Sequence, residues 1–416
     1  MTGLSSAFTS QVTSLFAGNI RTSLPVIAAG GASSIMFTLL PVFIIEVLGE
    51  THSWIGGYFT AVTFTSIPVT LLLGRLADRI AHKRALGLCT ATWIVLGCVL
   101  VVSVQSIGQL VIVGIVFLSL FEALNAQIFA IGRSAAASEA EEIAVTTSMR
   151  TAYALGYVVG PMIGALLTAT LGIRLALVSC AVLFGLAALT FCVKRVSVSR
   201  ADDEDTVAVR GDAPGQHAGF ALAALCLTLT TPIVRSAFLV VLATSVLDIP
   251  LDRVLLILAV APLAELFLIP LCGSLALRWG PDRVVLLGCA AAVFEMGCLA
   301  LVTSLWQIAL LQLVGAFVVA AVMSVGMAMV QGLFSGRPAF GTSAFLATRS
   351  VSSLMGNLGG GVLAGAHGLR WVFAGAAALA LIGTTVMSMR LMPRRPRTAY
   401  TESSPHHESG TRHVSG

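Results

Sequence analysis

The residues of this chain that could do chemistry are carboxylates, amides and arginines set inside apolar runs. Glu122, Asn125 and Phe129 stand three and four positions apart, which on a helix places a carboxylate, an amide and a ring on one face. That set suits a sugar, whose hydroxyls bond carboxylates and amides while an aromatic ring covers the pyranose face. Thr228, Thr231 and Arg235 form a second stripe at helical spacing, and Glu265 and Glu295 are two more carboxylates within apolar sequence. An ionisable group at membrane depth costs about 2.5–3.5 kcal/mol on insertion scales and is a functional candidate by default. Glu122 is expected to be desolvated and to meet both substrate and proton; Glu265 is the next candidate proton carrier. Glu295 reads as internal glue. For each stripe the competing reading is a polar seam between packed helices.

Other chemistries find no support. All seven histidines (His52, His82, His217, His367, His406, His407, His413) fall in loops or tails, and there is no HExxH, no GxSxG and no nucleotide-binding loop. The eight cysteines lie in apolar runs without a CxxC pair, which supports neither a disulfide framework nor a zinc site. The chain is read as no enzyme, with no metal and no cofactor.

The elements that must position these residues are membrane spans. Of 416 residues 57% are hydrophobic and only 10% charged, with mean hydropathy +0.96; soluble proteins carry about 25% charged residues, so a soluble enzyme is excluded. Twelve apolar runs can be marked, at 23–45, 54–74, 85–104, 109–132, 146–170, 173–193, 219–244, 254–273, 284–303, 306–331, 341–366 and 371–392. Each is near the ~20 residues that cross a bilayer as a helix. The fold class is therefore all-α and polytopic, with a six-helix bundle at 1–193, a cytoplasmic linker at 194–218 carrying Asp202-Asp203-Glu204-Asp205, a second six-helix bundle at 219–392 and a disordered cytoplasmic tail at 393–416. No cleavable signal peptide is read at the polar N-terminus.

Charge location sets the orientation. The net +5 is no nucleic-acid signal, because Arg75, Arg79, Lys83, Arg84, Arg133, Lys194, Arg195, Arg278, Arg283, Arg337 and the tail arginines crowd alternate loops, whereas the opposite loops hold only Arg174, Arg253 and Arg370. The positive-inside rule then places both termini and the linker in the cytoplasm. The halves also repeat. Gly74 to Arg84 aligns with Gly273 to Arg283 at a shift of 199, Arg150 maps onto Arg349, and Gly172-Ile173-Arg174 parallels Gly368-Leu369-Arg370. Parallel six-helix repeats around a midplane site are a transporter architecture.

Gly74-Arg75-Leu76-Ala77-Asp78-Arg79-Ile80-Ala81-His82-Lys83-Arg84 resembles the G-x-L-A-D-R-x-G-R-K signature of the major facilitator superfamily, with Ala81 in place of a glycine; the second copy has Leu277 at the acidic position. The resemblance implies two pseudo-symmetric six-helix bundles, with spans one, four, seven and ten lining a cavity. It also implies a gate around Gly74, Asp78, Arg79 and Arg84, to which Arg133, Arg150, Arg278 and Arg349 are added as basic residues near the same membrane face. Their repetition favours a gate for Arg150 and Arg349; the competing structural reading has them bond loop carbonyls or Glu139, Glu141 and Glu142. Gly156, Gly160, Pro161 and Gly164 of span five are similar to the Gly-Pro stretch of exporters in that superfamily, where the helix bends; close packing is the plainer reading. Gln127 to Arg133, Ser148-Met149-Arg150 and Gly160-Pro161 together resemble the bacterial sugar efflux transporters. That implies a cation-coupled exporter of sugars in a bacterial inner membrane, its partners being a small-molecule substrate, protons and the lipid bilayer, and the chain itself a monomer. A drug or secondary-metabolite exporter is the alternative, disfavoured by Glu122 where drug exporters carry an arginine.

Overall fold

The computed structural model describes residues 20–80, 83–133, 139–192, 216–334 and 338–391, and every regular element among them is a helix. In chain order these are α1 (Ile20–Val42), α2 (Ser53–Arg79), α3 (Lys83–Leu100), α4 (Ile107–Val116), α5 (Phe121–Arg133), α6 (Glu139–Leu171), α7 (Ile173–Cys192), α8 (Gln216–Val241), α9 (Leu251–Leu258), α10 (Val260–Trp279), α11 (Pro281–Leu301), α12 (Leu305–Val318), α13 (Gly326–Leu333), α14 (Pro338–His367) and α15 (Leu369–Leu391). Three spans are broken: α4 and α5 make span four, α9 and α10 span eight, and α12 and α13 span ten. Eleven segments are long and apolar enough to cross a membrane. The remaining one, span eleven, is the 30-residue α14. The linker and tail expected at 194–218 and 393–416 lie outside the described residues, apart from the start of α8.

The internal repeat is written in local structure. Gly172 and Gly368 end spans five and eleven at φ values of 81° and 94°, a left-handed conformation that glycine adopts without a Cβ clash. Two residues on, Arg174 donates to the carbonyls of Val102 and Val104 at 2.7 Å, and Arg370 donates to that of Ala300 at 3.0 Å. Each arginine thereby satisfies carbonyls left open at the end of span three or nine. The next turn repeats too: Gln109 Oε1 accepts from the Gln105 amide at 2.8 Å, and Gln307 Oε1 from the Thr303 amide at 2.9 Å. Spans one and seven both loosen into a π turn at their ends, Phe43–Val47 and Leu242–Val246.

Packing follows the same symmetry. α1 lies against α6 and α7, as α8 lies against α14 and α15. The Gly-Pro stretch of α6 seats its backbone on α1: a Cβ at Gly156 would strike the Ile27 carbonyl and Gly30–Gly31, and one at Gly160 would stand 2.8 Å from the Gly31 carbonyl. Helix α6 is continuous through Pro161. These glycines therefore act by close approach, and Gly164, with only ordinary contacts to Ile35 and Leu39, adds little.

The two halves meet unevenly. One apolar cluster joins the first half to Val234–Ala243, Val254, Leu255, Met296, Leu311, Ala364 and Phe373, all toward the end with short loops (48–52, 104–106, 172, 247–250, 302–304, 368). Residues of the second half toward the linker end, among them Leu225, Val285, Val325 and Phe345, form a separate cluster. The molecule is thus sealed by a shared core at its short-loop end.

Candidate substrate site

Glu122, Asn125 and Phe129 share α5, whose inner face looks onto α6. Asn125 is buried, and its Nδ2 donates to the Tyr153 hydroxyl at 3.2 Å. That hydroxyl also bonds Ser33 Oγ of α1 at 2.9 Å. The Phe129 ring stands edge-on to Tyr153 with centroids 6.0 Å apart, and Tyr157 follows one helical turn along at 5.3 Å. Asn125 Oδ1 is buried with no hydrogen-bond partner among the described residues. Three spans thus converge on a polar and aromatic wall. The sequence reading missed Tyr153 and Tyr157, although the signal was present: the chain has four tyrosines, and two of them sit at i and i+4 on span five.

Glu122 faces across the molecule. Its Oε1 stands 3.9 Å from Arg349 Nη1 on α14, with the two side chains 47% and 43% exposed. This corrects one expectation. Glu122 is half exposed rather than desolvated, since the loose contact with Arg349 leaves both side chains open. The long side chain of Arg349 crosses to the other half; the side chains of Glu139, Glu141 and Glu142 lie outside those described. Tyr153 and Tyr157 lie within electrostatic reach of both charges.

Arg235 pairs within its own half. Its Nη1 donates to Glu295 Oε1 at 2.8 Å, the side chains being 12% and 2% exposed. The guanidinium occupies the place where a Cβ at Gly315 of α12 would stand. Glu265 on α10 lies within electrostatic reach of Arg235 and makes no ion pair among the described residues. Thr231 is fully buried and its hydroxyl bonds the Thr228 carbonyl of its own helix at 2.9 Å. Thr228 does the same with Ala224 and also touches Cys289 Sγ at 3.3 Å. That stripe therefore faces helix α11 and offers no hydroxyl to a ligand.

Of the gating candidates, the side chains of Gly74, Asp78, Arg79, Arg133 and Arg150 lie outside those described. Arg84 sits in the first turn of α3, and Arg278 is exposed in the last turn of α10, where a cation complements the helix dipole. In the second copy of the loop motif, Asp282 pairs with Arg390 at the end of α15 at 2.9 Å, a contact no spacing announced. No group of three or more metal-ligating side chains is present among the described residues.

The sequence matches the Major Facilitator Superfamily over residues 23–214 and 218–413. The chain belongs to that superfamily. Within it, the chain is 24% identical over 345 residues to sugar efflux transporter A of Escherichia coli K12, covering 82% of this chain and 87% of that protein. A Deinococcus radiodurans relative is 25% identical over 385 residues, 91% of this chain and 98% of its own. The crystal structure of nucleoside transporter NupG superposes with a TM-score of 0.78 over 90% of this chain and 99% of that one, at 14% identity. At that identity the superposition shows the superfamily fold and nothing of the ligand.

Proposed function

We propose that this superfamily member exports sugars or sugar-like compounds across a bacterial inner membrane by proton antiport with alternating access, both termini facing the cytoplasm. The observation that carries the sugar reading is the wall of Glu122, Asn125, Phe129 and Tyr153, which combines hydroxyl-binding groups with an aromatic face. The resemblance to sugar efflux transporter A supports it. Basic residues crowding the linker-end loops support the orientation. The arrangement is then the inward-facing one, shut at its short-loop end.

A proton-coupled exporter needs a group whose charge changes during the cycle and which is linked energetically to substrate binding. Glu295 is held by Arg235 and Glu122 has Arg349 opposite it; of these three carboxylates Glu265 alone makes no ion pair among the described residues. Glu265 is accordingly the better proton carrier, and Glu122 the substrate ligand. Lactose counterflow in proteoliposomes tests the substrate class directly. Glu265→Gln should keep counterflow, which needs no net proton movement, and lose export driven by a pH gradient by about tenfold or more, equivalent to about 1.4 kcal/mol. Unchanged gradient-driven export in that variant would remove Glu265 from coupling.

A further inference from the structure

We propose that Glu122 and Arg349 are a substrate clasp: a neutral polyol enters between the two charges and joins span four of one half to span eleven of the other through adjacent hydroxyls. The inference rests on the sugar reading above and adds to it the residue by which the second half touches the ligand.

Three observations carry it. The pair is loose, at 3.9 Å with both side chains nearly half exposed, beyond the 2.7–3.2 Å of a hydrogen bond. An exposed pair of this kind contributes little to stability, so it does little to hold the halves together. A hydroxyl placed in the gap donates to the carboxylate and accepts from the guanidinium; a neighbouring hydroxyl on the same ring serves the second nitrogen of the fork. Next, Asn125 Oδ1 is buried without a donor among the described residues, an unmade bond that a third ligand hydroxyl would supply. Asn125 lies one turn from Glu122 on the same face. Finally, the two charges of the clasp cancel, so a neutral ligand leaves no charge unbalanced, whereas an anion such as a sugar phosphate would.

The test is lactose counterflow, with lactose protection as a readout that needs no variant. In the parent protein, saturating lactose should shield Arg349 from an arginine-modifying diketone, read by mass spectrometry of the Arg349 peptide. Arg349→Gln and Glu122→Gln should each raise the half-saturating lactose concentration about tenfold, and the double variant E122Q/R349Q should be no worse than the worse single, as expected for two ends of one interaction. The charge swap E122R/R349E restores an ion pair but puts the cation beside Asn125 and Tyr153, so lactose binding should not return. Recovery of transport in the swap would make the pair structural and overturn the clasp. So would diketone modification unaffected by lactose, or an Arg349→Gln variant with parental half-saturation. Absence of lactose counterflow in the parent overturns the sugar reading itself, and the clasp for sugars with it.

Discussion

Arg235 and Glu295 show what a carboxylate–guanidinium pair does when water is excluded. At 2.8 Å and almost fully buried, each is the other's direct ion-pair partner, and removing one partner from such a pair costs about 3–5 kcal/mol. Gly315 makes the arrangement possible by lacking the Cβ that would occupy the guanidinium site. Gly315→Ala should therefore lower thermal stability in detergent, by about 1–3 kcal/mol if the core strains to keep the pair and by more if the pair breaks. A melting temperature equal to the parent's would show that Arg235 has another place to go. The sequence marked Arg235 and Glu295 as costly residues and gave Glu295 its structural role. The superfamily resemblance placed Arg235's span on the cavity, and helical spacing does not say which neighbour covers its face.

At the scale of elements, the short-loop end is closed by backbone against backbone. A Cβ on Gly56 of α2 would strike the Asn357 carbonyl and Gly361 of α14, and one on Gly361 would stand 2.8 Å from the Ser53 carbonyl. Half a span further along, the Thr63 and Ser353 hydroxyls meet at only 3.5 Å. Small residues let helices approach to this degree in lipid, where apolar burial gives no advantage of helix over tail. Gly56→Leu should hold the two helices apart and disfavour the state shut at this end. The expected result is faster alkylation of a cysteine introduced at Thr51 and a fall in lactose turnover of about tenfold, about 1.4 kcal/mol. Unaltered labelling and turnover would show that the seal lies elsewhere.

For the whole molecule, transport requires that the shared apolar core at the short-loop end part while the linker ends come together. We propose that the motif loop between spans two and three belongs to that second closure. Asp78→Asn should lower lactose exchange about tenfold while leaving half-saturation within about twofold, the signature of an interaction made only on the way between states. Equal exchange rates for Asp78→Asn and the parent would remove the motif from gating, and loss of the variant from the membrane would assign it a folding role instead.

Apolar run length, basic-loop asymmetry and the repeat at a shift of 199 were enough to determine twelve helices in two like halves, because a bilayer accepts only segments that satisfy their own backbone bonds. They located Glu122, Asn125 and Phe129 on one face, since that face follows from 3.6 residues per turn. Even the roles of Arg174 and Arg370 were half legible, as a repeated Gly-x-Arg without its carbonyl partners. The tertiary structure alone decided the pairings: Arg349 with Glu122, Arg235 with Glu295 in the hollow at Gly315, Tyr153 with Asn125, and Thr231 with its own helix. Each depends on which two helix faces meet and at what height. That is set by packing between separate segments of the chain, and no period within one segment carries it.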